Sequence, residues 1–170
     1  MGSGKTTLGS AVSKLSGATF IDLDSAIQQR IGCTISHFFE QHGEEAFRRI
    51  ERCVLTDLLG APYDKPVIIA CGGGTPCYAD NMEIMNQHGS TIFLHADTEV
   101  IVRRLLEEQN SRPLIAGKTE DELREFVDRS LAQRMSYYSK SIHTFCSNRL
   151  ETLEQINTTA REFIATFLPS

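Results

Sequence analysis

Apolar residues recur along this chain in two rhythms that alternate from one end to the other. Thr6 to Ser16 has a helical pattern that stops at Gly17. Ala18-Thr19-Phe20-Ile21 is a short apolar strand that runs into Asp22-Leu23-Asp24, and a helix resumes through Ile27 to Ile31 and ends at Gly32. Ile35 to Gln41 predicts a short helix closed near Gly43. From Glu44 to Leu59, Phe47, Ile50, Val54, Leu55, Leu58 and Leu59 recur at three- and four-residue spacing. That is the signature of an amphipathic helix, here capped by Gly60 and Pro62. Val67-Ile68-Ile69-Ala70-Cys71 is instead a continuous, β-branched run, which predicts a strand buried on both faces of a parallel sheet. It ends abruptly in Gly72-Gly73-Gly74. A polar helix around Asp80 to Gln87, a strand at Thr91 to His95 and a helix at Thr98 to Glu108 follow. Residues 109–118 interrupt the pattern with a polar, Pro- and Gly-bearing insert that suits a mobile lid. A long helix from Glu120 to about Tyr137, a strand at Ile142 to Cys146 and a helix at Glu151 to Phe167 complete the order.

Alternating strands and helices imply an α/β fold, a parallel β-sheet with helices on both faces. Ligands in such sheets sit at the carboxyl ends of the strands. Asp22 and Asp24, Gly72 to Gly74, and residues 1–6 all fall at such ends, so they are expected to converge on one cleft.

Composition narrows the partners. A chain of 170 residues, 41% hydrophobic and 23% charged, fits one globular domain spanning residues 1–170. A net charge of −5 argues against a nucleic-acid partner, which needs a basic stripe. No apolar run approaches the ~20 residues of a membrane-spanning helix, and no signal segment opens the chain, so the expected location is the cytoplasm. The five cysteines are scattered without paired spacing and read as buried apolar residues or surface thiols. The five histidines show no spacing that points to a metal or a catalytic role.

The chemistry-bearing residues begin at Gly2-Ser3-Gly4-Lys5-Thr6-Thr7. Gly4-Lys5-Thr6 reads as the end of a GxxxxGKT loop, in which backbone N–H groups and a helix N-terminus surround phosphate oxygens. Lys5 would neutralise the β- and γ-phosphates, and Thr6 would place its hydroxyl on Mg²⁺. Met1 to Thr6 also fits a myristoylation pattern, which phosphate binding explains better. Asp22 and Asp24 can serve a metal's water shell and a substrate hydroxyl, although Asp24 alone reads equally as a helix N-cap. Arg48, Arg49, Glu51 and Arg52 crowd one helix with Glu44 and Glu45, ordinarily a solvated face of i,i+3 and i,i+4 pairs. Three consecutive glycines after a buried strand exceed what a turn needs and point to close backbone approach to a ligand. Arg112 and Arg134 taken singly read as surface residues.

Taken together, these stretches resemble the shikimate kinase family over nearly the whole chain. The resemblance rests on Gly2 to Gly9, Phe20-Ile21-Asp22-Leu23-Asp24, Gly43 to Glu51, Gly72-Gly73-Gly74, Arg112-Pro113-Leu114, and Arg134 with Tyr138. It implies ATP-dependent phosphorylation of the 3-hydroxyl of shikimate, on the route to chorismate and the aromatic amino acids, by a cytoplasmic monomer using ATP and Mg²⁺. Asp24 would orient or deprotonate the hydroxyl, and Asp22 would reach Mg²⁺ through water. Arg48 and Arg134 would hold the substrate carboxylate, Gly72, Gly73 and Gly74 would approach its ring, and Phe39 and Phe47 would wall it. Arg112 would close from the lid over the transferring group, and Arg104 and Arg149 would flank the adenine. Gluconate or nucleoside monophosphate kinases are the alternative among small kinases, and a non-catalytic homologue is the alternative outside catalysis. The family's strand order is 2-3-1-4-5. Its first strand precedes the phosphate loop and lies between the Val67 and Thr91 strands. The loop's first glycine would fall two residues before Met1, so the expectation is a gap in the sheet and a start placed about ten residues late.

Overall fold

The structure is a computed structural model that describes residues 2–108 and 115–168. Several of its helices begin or end where the sequence supplies caps. Helix α1 (Lys5–Ser16) starts from Gly4 and stops at Gly17, both in the left-handed region at φ 81° and 74°. Strand β1 (Thr19–Asp22) passes directly into α2 (Leu23–Ile31), with the Asp22 carboxylate accepting from the Ser25 N–H. The N-cap of α2 is therefore Asp22 rather than Asp24, which lies in the first turn. Helix α3 (Ile35–Gly60) is broken at Gly43, whose φ of 77° and ψ of 175° lie outside the helical region. It thus behaves as the two consecutive helices that the sequence predicts.

Strand β2 (Val67–Ala70) leads through the glycines into a short 3₁₀ turn (Thr75–Cys77) that the apolar pattern does not announce. Helix α4 (Asn81–His88), strand β3 (Ile92–His95) and helix α5 (Thr98–Glu107) follow. Helix α6 (Glu120–Tyr138) opens on a capping box between Thr119 and Glu122, and strand β4 (His143–Cys146) and helix α7 (Leu153–Phe167) close the order. At the end of the expected lid, Ile115 is fully buried among Ile101, Leu105, Leu123 and Val127. Most of the expected lid, residues 109–114, lies outside the described residues.

Among the described residues the strands are parallel, as expected, but form two separate pairs. β1 runs beside β2 with Thr19 opposite Val67, and β3 beside β4 with Ile92 opposite His143. Between the pairs lies an apolar cleft of about 550 Å³, lined by β2 and β3 and by Leu8, Val12, Phe163 and Phe167 of α1 and α7. This is where the sequence reading expects a gap. It also explains a difference: Val67 to Ala70 are only half-buried, not enclosed on both faces, because one side of β2 looks into the cleft. Among the described residues, the buried apolar side chains accordingly divide into three clusters. One lies under α5 and α6, one joins α1 to α7, and one joins α2 to α3. Among the described residues, no helix is long and apolar enough to cross a membrane.

Candidate active site

The loop before α1 takes its shape from glycine. Gly2 and Gly4 have φ of 69° and 81°, and a side chain on Gly4 would collide with Leu150. The first amides of α1 have no partner within the helix and, with the helix dipole, form an anion site. Lys5 Nζ donates to Ser3 Oγ over 3.4 Å. Thr6 Oγ1 donates to Asp22 Oδ2 over 3.0 Å, which joins the start of α1 to the end of β1. A hydroxyl and a carboxylate side by side at a phosphate loop are hard oxygen donors of the type Mg²⁺ takes, together with phosphate and water.

Arg104 secures this loop from α5. Its guanidinium donates to the carbonyls of Gly2 (3.3 Å), Ser147 (2.9 Å) and Asn148 (3.2 Å), and pairs with Glu151 at 3.2 Å. A guanidinium so occupied clamps the phosphate loop to the β4–α7 connection. Arg149 lies on that connection but lines a small hollow with Glu154, Gln155, Thr158 and Glu162. The structure brings Arg104 to the loop and places Arg149 against α7. Arg112 lies outside the described residues.

The glycine triplet is packed by four charged side chains. A Cβ on Gly72 would lie 3.5 Å from Asp24 Oδ1 and 3.4 Å from Glu51 Oε1. One on Gly73 would lie 2.8 Å from Arg134 Nη1, and one on Gly74 would lie 2.5 Å from Arg48 Nη2. Real Cβ atoms do not approach so closely, so the triplet leaves room for two guanidinium groups beside the Asp24 carboxylate. Asp24, Arg48, Arg134 and Gly72 to Gly74 are thus brought to one place from α2, α3, α6 and the end of β2. Phe47 is buried, its ring 4.5 Å from that of Phe39, and the Arg48 guanidinium stands 5.4 Å above it. Tyr138 Oη donates to the Gly73 carbonyl at 2.7 Å and its ring stacks on Phe93. Burial pushes the Tyr138 phenol up, against the opposing charge of Arg134, so it stays protonated as that bond requires.

Burial disfavours the Arg48 charge, but the carboxylates of Glu51 and Glu44 overcome it and hold the guanidinium above its ordinary range. Arg48 Nη1 donates to Glu51 Oε2 at 2.7 Å. Glu51 itself is 1% exposed, so the charged run is not solvated along its whole length. The sequence carried the signal: Glu51 falls on the apolar stripe, four residues after Phe47 and four before Leu55. Arg49 does lie on the solvated face, paired with Glu45. Arg52 does not: it turns under α3 to donate to Asn81 Oδ1 at 2.9 Å and to pair with Asp80.

A family model described as shikimate kinase matches residues 1–165. The shikimate kinase of Phocaeicola vulgatus is 42% identical over 156 residues, covering 92% of this chain and 87% of that protein. Among solved structures, the shikimate kinase of Bacteroides thetaiotaomicron superposes with a TM-score of 0.91 at 37% identity, over 98% of this chain and 93% of the other. The shikimate kinase of Acinetobacter baumannii, solved in complex with shikimate, matches with a TM-score of 0.79 at 29% identity, over 98% of this chain and 87% of the other.

Proposed function

The chain belongs to the shikimate kinase family, and on that premise we propose that it transfers the γ-phosphoryl group of ATP to the 3-hydroxyl of shikimate, yielding shikimate 3-phosphate and ADP. The observation that carries this reading is the convergence of Arg48 and Arg134 on Gly74 and Gly73 with Asp24 beside Gly72. Two planar guanidinium forks suit a carboxylate, which accepts two parallel hydrogen bonds from each fork it meets. A nearby carboxylate suits the hydroxyl that attacks.

In this mechanism Arg48 and Arg134 fix the acceptor's carboxylate, and the Phe39 and Phe47 rings exclude water from its far side. Asp24 accepts a hydrogen bond from the 3-hydroxyl, orients its oxygen in line with the γ-phosphorus and takes its proton as the P–O bond forms. The loop amides and Lys5 hold the β- and γ-phosphates and stabilise the charge that collects on ADP as the bridging bond breaks. Thr6 and Asp22 are the residues that would hold Mg²⁺, which when bound neutralises phosphate charge. Arg112 is assigned the lid role over the transferring group, where such an arginine is worth on the order of 10³ to 10⁵ in rate. The reading also takes residues 1–170 as one domain with a lid near 109–118, acting as a monomer in the cytosol. The five cysteines, all free, suit a reducing compartment.

A coupled ADP-release assay offered shikimate, gluconate and nucleoside monophosphates tests the acceptor. Turnover with shikimate alone is expected, and turnover with another acceptor in its place overturns the proposal. Arg48→Ala should raise the KM for shikimate by roughly 10- to 100-fold, the loss of a charged hydrogen-bond partner worth ~1.5 to 3 kcal/mol. The KM for ATP should stay near its original value, and Arg48→Lys should recover only part of the loss because an ammonium lacks the planar fork. An unchanged shikimate dependence would remove Arg48 from the acceptor site.

A further inference from the structure

A chain of buried polar contacts runs behind the acceptor site, and no step of the mechanism uses it. Thr75, the residue after the glycine triplet, is 0% exposed. Its hydroxyl donates to Glu51 Oε1 at 2.6 Å, and the other oxygen of that carboxylate accepts from Arg48 Nη1 at 2.7 Å. Its carbonyl accepts from Asn81 Nδ2 at 2.8 Å, and Asn81, also 0% exposed, is held in turn by Arg52. Its N–H donates to the Gly72 carbonyl at 3.2 Å. Every polar group of Thr75 is therefore committed, to α3 on one side and to the loop and α4 on the other.

We propose that Thr75 is a positioning residue for the acceptor site: through Glu51 it sets the Arg48 guanidinium, and through Gly72 and Asn81 it fixes the glycine backbone against which that guanidinium packs. The proposal rests on the acceptor reading given above. Its physical basis is that a carboxylate with both oxygens bonded has one orientation, whereas one with a single partner can swing. Without the hydroxyl, Glu51 Oε1 loses its buried donor and rotates to recover one, carrying Arg48 with it. Since Gly74 has no room for even a methyl group against Arg48, a small displacement of the guanidinium moves it relative to the loop. The effect falls on acceptor binding. The phosphate loop is held separately, by Arg104 and Leu150.

Thr75→Val keeps the shape and removes the hydroxyl, and Thr75→Ser keeps the hydroxyl and removes a methyl group. The valine variant should raise the KM for shikimate roughly tenfold, the scale of one hydrogen bond to a charged group, with kcat and the KM for ATP within about twofold. The serine variant should return the shikimate KM to near its original value. Equal changes in both KM values, or a serine variant as impaired as valine, would show that Thr75 merely supports the fold and would overturn the proposal. Crystal structures of the two variants without acceptor provide a reading independent of the substrate. Arg48 displaced in valine and retained in serine is expected, and Arg48 unmoved in valine sinks the proposal. Failure of the unmodified protein to phosphorylate shikimate would refute the acceptor assignment, while the crystal structures would still decide the role of Thr75.

Discussion

Asp24→Asn is expected to lower kcat for shikimate phosphorylation by roughly 10²- to 10⁴-fold, the usual contribution of a positioned general base. The substitution preserves shape and one acceptor oxygen, so the hydroxyl can still be bound. What it removes is the capacity to take the proton. The KM for shikimate should therefore change far less than kcat, since the contacts proposed for Arg48 and Arg134 would be made equally in the ground state and the transition state. Folding should be little affected. Asp24 sits in the first turn of α2, where its negative charge contributes only about 0.3 to 1 kcal/mol against the helix dipole, and the capping bond belongs to Asp22. Steady-state kinetics with a thermal melt as control decide the matter. A kcat within about threefold of the parent, with the melt unchanged, would leave Asp24 no role as base.

The separation of roles between Asp22 and Asp24 marks the limit of what the sequence discloses. Both were legible as chemistry-bearing residues at a strand end, but which one caps α2 depends on where the strand turns, and propensity alone does not resolve a single residue. The phosphate loop, the break at Gly43 and the two arginines beside the glycine triplet were readable because each rests on a local pattern or on motif order. Glu51 stands within a run of charged residues that ordinarily marks a solvated face. Its place on the apolar stripe of α3 argues for burial, and burial of a carboxylate requires partners. Those partners, Arg48 at three residues and Thr75 across the loop, are half local and half distant, and only the local half can be anticipated from spacing. Thr75, Asn81 and Arg52 were invisible for the same reason: their contacts cross between α3, the 3₁₀ turn and α4. Arg104 and Arg149 show the converse. They are indistinguishable by composition, yet a guanidinium meeting three carbonyls at a chain crossing is a property of the fold.

The largest effect on stability should come from the cleft between the strand pairs. An extended segment of five or six apolar, β-branched residues, joined to the amino end of the chain, is expected to raise the melting temperature markedly and to increase kcat/KM for ATP. Both β2 and β3 have one strand neighbour among the described residues, and each contributes to the wall of the cleft. Their edges therefore offer rows of backbone donors and acceptors that only another strand satisfies fully. Strands of four residues on either side match a segment of this length at ~3.3 Å per residue. Ser3, Lys5 and Leu8 also line the cleft, so a segment entering beside them reaches it without a long linker. Each apolar side chain it buries against Val12, Ile68, Ile92 or Phe163 is worth ~1.5 to 3 kcal/mol. A few of them are comparable to the whole ~5 to 15 kcal/mol stability of a domain. The gain in ATP use follows because the segment would hold the residues leading into Gly2 and Gly4, where loop geometry decides whether the amides meet phosphate. A segment of equal length made of serine and aspartate is the control. It cannot favourably fill an apolar cleft, so it should leave both measurements near those of the unextended chain. If calorimetry gave the two extensions the same melting temperature, the cleft would not be a strand site. If the apolar segment fills it, β1 through β4 become one continuous sheet, and the α1–α7 and α2–α3 cores, now facing each other across the gap, meet on either side of it.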